Sequence, residues 1–101
     1  MPIRLDRAPA EKPGLLFFYS PRSGQSRRVE GFLAQVLQRR GNHGTFRLHR
    51  VDADKHADFA TRLEVTDTPA LVIVDGGRVQ ARVTQPVGCR DIEELLSPWL
   101  R

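Results

Sequence analysis

Residues 14–41 read GLLFFYSPRSGQSRRVEGFLAQVLQRRG, and a change of periodicity inside this stretch decides the fold. Gly14 opens the continuous apolar run Leu15-Leu16-Phe17-Phe18-Tyr19. A short, aromatic-rich run without alternation suits a central strand buried on both faces. Ser20-Pro21-Arg22-Ser23-Gly24-Gln25 is dense in turn formers and predicts a turn. Beyond it the spacing changes. Val29, Phe32, Leu33, Val36 and Leu37 fall at i, i+3, i+4, i+7 and i+8, which predicts a helix over residues 26–40 with one apolar stripe. Arg39 and Arg40 suit the negative end of its dipole, and Gly41 is a natural terminator.

Working outward, residues 45–52 (TFRLHRVD) alternate only in part: Phe46 and Leu48 share a face, but Arg50 stands where the next apolar residue should be and Val51 points the other way. A strand is still the better reading. Asp54 is placed to cap a second helix over residues 55–63, with Phe59 and Leu63 inward. Residues 65–69 connect to a β-branched strand at 70–74. Asp75-Gly76-Gly77 then makes a tight hairpin turn, and residues 79–84 return antiparallel. Gly88 precedes a last helix over residues 90–97, with Ile92, Leu95 and Leu96 inward, Pro98 as its stop, and Trp99 and Leu100 covering the core. Residues 1–13 carry Pro2, Pro9 and Pro13 and read as an N-terminal loop or short edge strand. The order β-α-β-α-β-β-α gives an α/β fold: a mixed four-stranded sheet flanked by helices. Its first two strands are parallel by the crossover rule, and the last two form a hairpin.

Length and composition bound the rest. One hundred and one residues make one small domain, spanning 1–101. Hydrophobic residues are 40% and charged residues 28%, which places the chain with globular rather than disordered sequences. No apolar run approaches the roughly 20 residues that cross a bilayer. The first twelve residues lack the apolar centre of a signal peptide, so the expected compartment is cytoplasmic. The net charge is +4, unevenly spread: residues 1–50 hold ten Lys and Arg against three Asp and Glu, and residues 51–101 hold six against nine. Arginine dominates, which admits an acidic partner or, less readily, nucleic acid, since no aromatic residues interleave the basic ones. His43, His49 and His56 have no ligand-like spacing, so no metal is expected, and no other cofactor is indicated. A lone cysteine, Cys89, excludes an internal disulfide and a CxxC redox pair.

Three local motifs, together with the element order, resemble the thioredoxin family. Phe18-Tyr19-Ser20-Pro21-Arg22-Ser23-Gly24-Gln25-Ser26-Arg27-Arg28-Val29 is similar to that family's strand-to-helix segment, in which an aromatic pair leads into Trp-Cys-Gly-Pro-Cys-Lys. Val65-Thr66-Asp67-Thr68-Pro69-Ala70-Leu71 resembles its Val-x-x-Ile/Thr-Pro-Thr-Leu segment, where the proline is cis. Asp75-Gly76-Gly77 and Val87-Gly88 resemble its hairpin and the glycine before its last helix, and Val51-Asp52-Ala53-Asp54 its Val-Asp-x-Asp segment. The likeness covers residues 15–100 and implies a thioredoxin-like fold.

The departures bear on function. Ser23 and Ser26 stand at the two cysteine positions, Gln25 replaces the intervening proline, and Arg22 the tryptophan. Phe17 stands where the resemblance places a buried proton-transferring aspartate, and Leu48 where many members carry a lysine. Dithiol exchange needs a thiolate to attack a disulfide sulfur. A serine hydroxyl lacks an accessible ionised state without an adjacent base, and the sequence near Ser23 offers arginines rather than a His or carboxylate base. The bland role of Ser23 and Ser26 is to accept hydrogen bonds from the free N–H groups at the helix start. The resemblance implies that Thr68 and Pro69 border a groove with Arg22 and Ser23 that pairs its backbone with an extended peptide.

The leading expectation is therefore a redox-inactive thioredoxin-like protein. It would bind a protein or extended peptide, of acidic character, through Arg22, Ser23, Gly24, Gln25, Ser26, Thr68, Pro69, Gly88 and Cys89. Two alternatives stand beside it. One is a thiol–disulfide oxidoreductase, acting through Cys89 or being a Cys-to-Ser form of a dithiol parent. Cys89 starts a helix after Gly88, where a thiol gains reactivity, although a small buried apolar residue is the commoner fate of a lone cysteine. The other alternative is an arginine-mediated nucleic-acid binder.

Overall fold

The computed structural model describes residues 12–100, so residues 1–11 of the expected N-terminal loop or edge strand lie outside the description. Strands run over Gly14–Tyr19 (β1), Arg47–Asp52 (β2), Ala70–Asp75 (β3) and Arg78–Thr84 (β4). They form one sheet in the order β2-β1-β3-β4. β1 pairs parallel with β2 and antiparallel with β3, and β3 pairs antiparallel with β4. The continuous apolar strands β1 and β3 are thus the two interior ones, because only a strand covered on both faces can bury every side chain.

Helices Gly24–Gln38 (α1), Ala57–Arg62 (α2) and Cys89–Leu96 (α3) complete the β-α-β-α-β-β-α order. The sheet separates two cores. Leu15, Phe17, Leu71 and Ile73 pack on one face with Val29, Leu33 and Val36 of α1 and Ile92 and Leu96 of α3. Leu16, Phe18, Val72 and Val74 pack on the other with Ala60, Leu63 and Val65. Trp99 and Leu100 lie against the first core, and the Trp99 indole N–H donates to Asp75. The hairpin turns through Gly76 and Gly77 at φ of 64° and 77°, backbone that glycine adopts without Cβ strain. No helix among the described residues is long and apolar enough to cross a membrane.

Four local expectations need correction. α1 begins at Gly24 and ends at Gln38, so Arg39 and Arg40 lie past its last turn, in a 3-10 segment over Arg39–Gly44. Buried Asn42 takes over the helix end: its Nδ2 donates to the Arg39 carbonyl and its Oδ1 accepts from Thr45 Oγ1. The second strand starts at Arg47 rather than residue 45. The cap of α2 is not Asp54. Asp52 Oδ1 accepts from the backbone N–H groups of Asp54 and Lys55 in an Asx turn, and helix begins only at Ala57. The last helix starts at Cys89, where Asp91 reaches back to accept from Val87 N at 2.9 Å. Arg50, the residue that broke the alternation of β2, lies with its guanidinium over the Tyr19 ring and its Nε 2.9 Å from Glu30.

Candidate functional site

β1 ends at Tyr19, and the chain crosses to α1 through residues 20–23. The joint is held by serine hydroxyls and backbone. Ser23 N donates to Ser20 O at 3.0 Å. Ser23 is the N-cap of α1, in extended backbone, and its Oγ accepts from Ser26 N at 3.1 Å. That satisfies one of the unpaired N–H groups at the helix start, the role the sequence suggested. Ser26 differs from its expectation in detail. It is 4% exposed, and its Oγ accepts from Ser20 N at 3.1 Å, so it ties the helix to the strand end rather than capping its own turn. Both hydroxyls at the motif positions are therefore acceptors in one strand–turn–helix brace.

Phe17 is 1% exposed within the α1–α3 core, its ring 5.8 Å from Tyr19, so the floor beneath the joint is hydrocarbon. Leu48, on β2, is 45% exposed.

The Thr68–Pro69 peptide bond is cis. Ala70 pairs with Phe18, which puts Pro69 just past that rung, at the end of the sheet where β1 enters the joint. Gln85, immediately after β4, holds this segment from two sides. Its backbone N donates to Pro69 O at 2.7 Å, and its side-chain Nε2 to Thr68 O at 3.3 Å. Gln85 does so at φ 50°, a left-handed conformation uncommon for a residue with a Cβ. The chain continues into Pro86 and Val87, which face Gly24, Gln25, Arg28 and Phe32 across a cleft of about 440 Å³. Val87 is 81% exposed, while Pro86 is buried.

Of the residues expected at the site, Gly24 and Gln25 thus share a cleft with the 86–87 loop, and Thr68 and Pro69 are tied to the residue leading into that loop. Arg22 is exposed, and Gly88 is the N-cap of α3. Cys89 is half-buried and turns toward the flank of α1, with its Sγ 3.3 Å from Gln35 Oε1 and 3.8 Å from the Phe32 carbonyl. Those partners lie nine and twelve residues past Ser23, at least about 2.5 turns along the helix. Sequence reasoning missed Gln85, Pro86 and Phe32 as parts of this surface, whereas Arg28, with Arg22 and Arg27, was expected to favour an acidic partner. Only a valine between a proline and a glycine hints at it, since burial and left-handed backbone are invisible in the string.

The local electrostatics are one-sided. α1 has no acidic residue in its first turn, and Arg22, Arg27 and Arg28 are all exposed. Among the described residues none of the three has a carboxylate partner, whereas Arg39, Arg50 and Arg82 pair with Glu93, Glu30 and Glu64. Elsewhere, burial and then the Arg47 charge lower the pKa of His49 on β2 from its ordinary 6.5. Among the described residues no group of three His, Cys, Asp or Glu side chains is placed to hold a metal ion.

Similar solved structures include thioredoxins. Deadhead, the germline-specific thioredoxin of Drosophila melanogaster, is 18% identical with a TM-score of 0.76, covering 90% of this chain and 84% of that one. A point-mutant thioredoxin from Halobacterium salinarum is 16% identical with a TM-score of 0.74, covering 92% and 79%. Oxidised mitochondrial thioredoxin 3 from Saccharomyces cerevisiae is 19% identical with a TM-score of 0.74, covering 89% and 81%. At these identities the likeness speaks for the fold. No curated protein is a significant match to the sequence. The thioredoxin family model matches residues 6–98, nearly the whole chain, and with the element order and sheet topology it establishes that this chain belongs to the thioredoxin family.

Proposed function

We propose that this chain is a redox-inactive member of the family that binds a protein or extended peptide at the joint, the Thr68–Pro69 segment and the 86–88 loop. One observation carries the reading: the side chains at the two cysteine positions are hydroxyls engaged as acceptors in the brace between β1 and α1. Exchange needs an attacking thiolate and a resolving thiol, and neither stands there. The single thiol of the chain, Cys89, faces Phe32 and Gln35. The buried position beneath the joint holds Phe17, which moves no proton. What the surface does offer is backbone beside an exposed apolar side chain and three arginines. Main-chain hydrogen bonds to an extended segment supply affinity in such an arrangement, and the charges steer the encounter.

Insulin reduction with dithiothreitol as electron source tests the reading. The expected result is no turnover above the uncatalysed rate, unchanged in Cys89→Ser. The double variant Ser23→Cys/Ser26→Cys serves as the positive control and gains measurable turnover. Turnover by the unmodified chain that Cys89→Ser abolishes refutes the binding role and assigns the chemistry to Cys89.

A further inference from the structure

Arginine beside a helix N-terminus sits against the macrodipole, which disfavours like charge there. Arg22 precedes the N-cap of α1, and Arg27 and Arg28 follow its first turn. With no acid in that turn and no carboxylate partner among the described residues, the fold itself gains nothing from this placement. Arg28 is one of the residues lining a cleft shared with Gly24, Gln25, Phe32 and Pro86, and Val87 stands 81% exposed beside it. Phe32, Pro86 and Val87 beside Gln25 and the Arg28 cation make a lining of mixed character, which fits an aliphatic side chain that has a carboxylate one or two residues away. Phe32 is a single ring in this lining, whereas successive bases need successive stacking faces, which argues against nucleic acid.

We propose that the partner, docked as in the preceding section and dependent on that reading, presents a short acidic segment carrying one aliphatic side chain. The aliphatic group seats between Phe32 and Val87, and the flanking carboxylates meet Arg28 and Arg22. This cleft lies on the α1 side of the 86–87 loop, beside the Thr68–Pro69 edge rather than on it.

The test is an amide NMR titration of the full chain with acetyl-Ser-Asp-Leu-Glu-Asp-Ser-amide, its Leu→Ser analogue, and an analogue with lysine at every acidic position. The leucine peptide is expected to shift the amides of Gly24, Arg28, Phe32 and Val87 saturably. The Leu→Ser peptide, and separately the surface variant Val87→Ser, are expected to weaken binding by about tenfold, the scale of burying one aliphatic side chain. Arg28→Glu and raised salt are expected to weaken it further, and the lysine peptide to leave the spectrum unchanged. Shifts confined to Thr68 and Ala70 overturn the cleft while leaving the groove reading in place. No saturable shift up to the peptide's solubility limit leaves neither standing. Equal binding by the lysine peptide, or stronger shifts of the same amides by an oligouridylate, overturns the acidic-aliphatic assignment.

Discussion

Replacing Ser26 by alanine isolates the claim that the motif hydroxyls serve the fold. Ser26 is 4% exposed, and its Oγ accepts from Ser20 N at 3.1 Å. Ser26→Ala deletes the acceptor and leaves the Ser20 N–H without it in a part-buried place, which costs about 1–3 kcal/mol. Alanine is the better helix former by roughly 0.5 kcal/mol, which offsets part of this loss. The net destabilisation is then about 1–2 kcal/mol. At about 4–8 °C per kcal/mol for a domain of this size, the melting midpoint falls by roughly 5–15 °C. Urea unfolding followed by the fluorescence of Trp99, the only tryptophan, and thermal unfolding followed by circular dichroism both read it. Ser23→Ala loses the cap at about 1 kcal/mol. Since the two hydroxyls brace one joint, the double variant is expected to lose less than the sum of the singles. A Ser26→Ala protein as stable as the parent would refute the structural role and reopen the question of what these serines do.

Phe17→Asp, which installs the family's acidic residue, places a carboxyl in a core of Leu, Val and Ile and is expected to cost at least the 3–5 kcal/mol, roughly, of a Phe→Ala change there; an unchanged urea midpoint contradicts this. His49 has a folded pKa below its ordinary 6.5 because of burial and then Arg47. The unfolded chain therefore takes up this proton first: stability is level above about pH 6.5 and declines as pH falls through it toward the folded value. In His49→Gln that portion of the acid-side decline is absent, as unfolding free energies measured across the range will show. At Gln85, glycine relieves the left-handed backbone that alanine retains, while both lose the contact to Thr68. Gln85→Gly is thus expected to be more stable than Gln85→Ala by about 1 kcal/mol, and the reverse order in urea melts would exclude strain at this residue.

Much of the fold is legible in the string because its signals are local. Leu15–Phe18 are apolar at every position, which suits a strand inside a sheet, and β1 is one. The α1 stripe of Val29, Leu33, Val36 and Leu37 is buried as its spacing requires. Element ends read less well, because caps were chosen by competition between neighbouring polar side chains. Asp52 took the role that Asp54 suggested, while Gly41 does turn the chain at φ 66°, inside the 3-10 segment where Asn42 holds the Arg39 carbonyl. Arg50 looked like a break in β2 only because its partners, Tyr19 and Glu30, come from other elements.

Secondary-structure order, family likeness and the lack of a thiol pair follow from residue order, since periodicity and residue chemistry are properties of the chain. Three contacts needed the folded chain: Ser26 reaching back to Ser20, Gln85 pinning the Thr68–Pro69 segment, and exposed Val87 standing across from Phe32 and Arg28. Those contacts join residues far apart in sequence or depend on backbone dihedrals, and they form only once burial of the two cores has fixed which ends of the strands and helices meet.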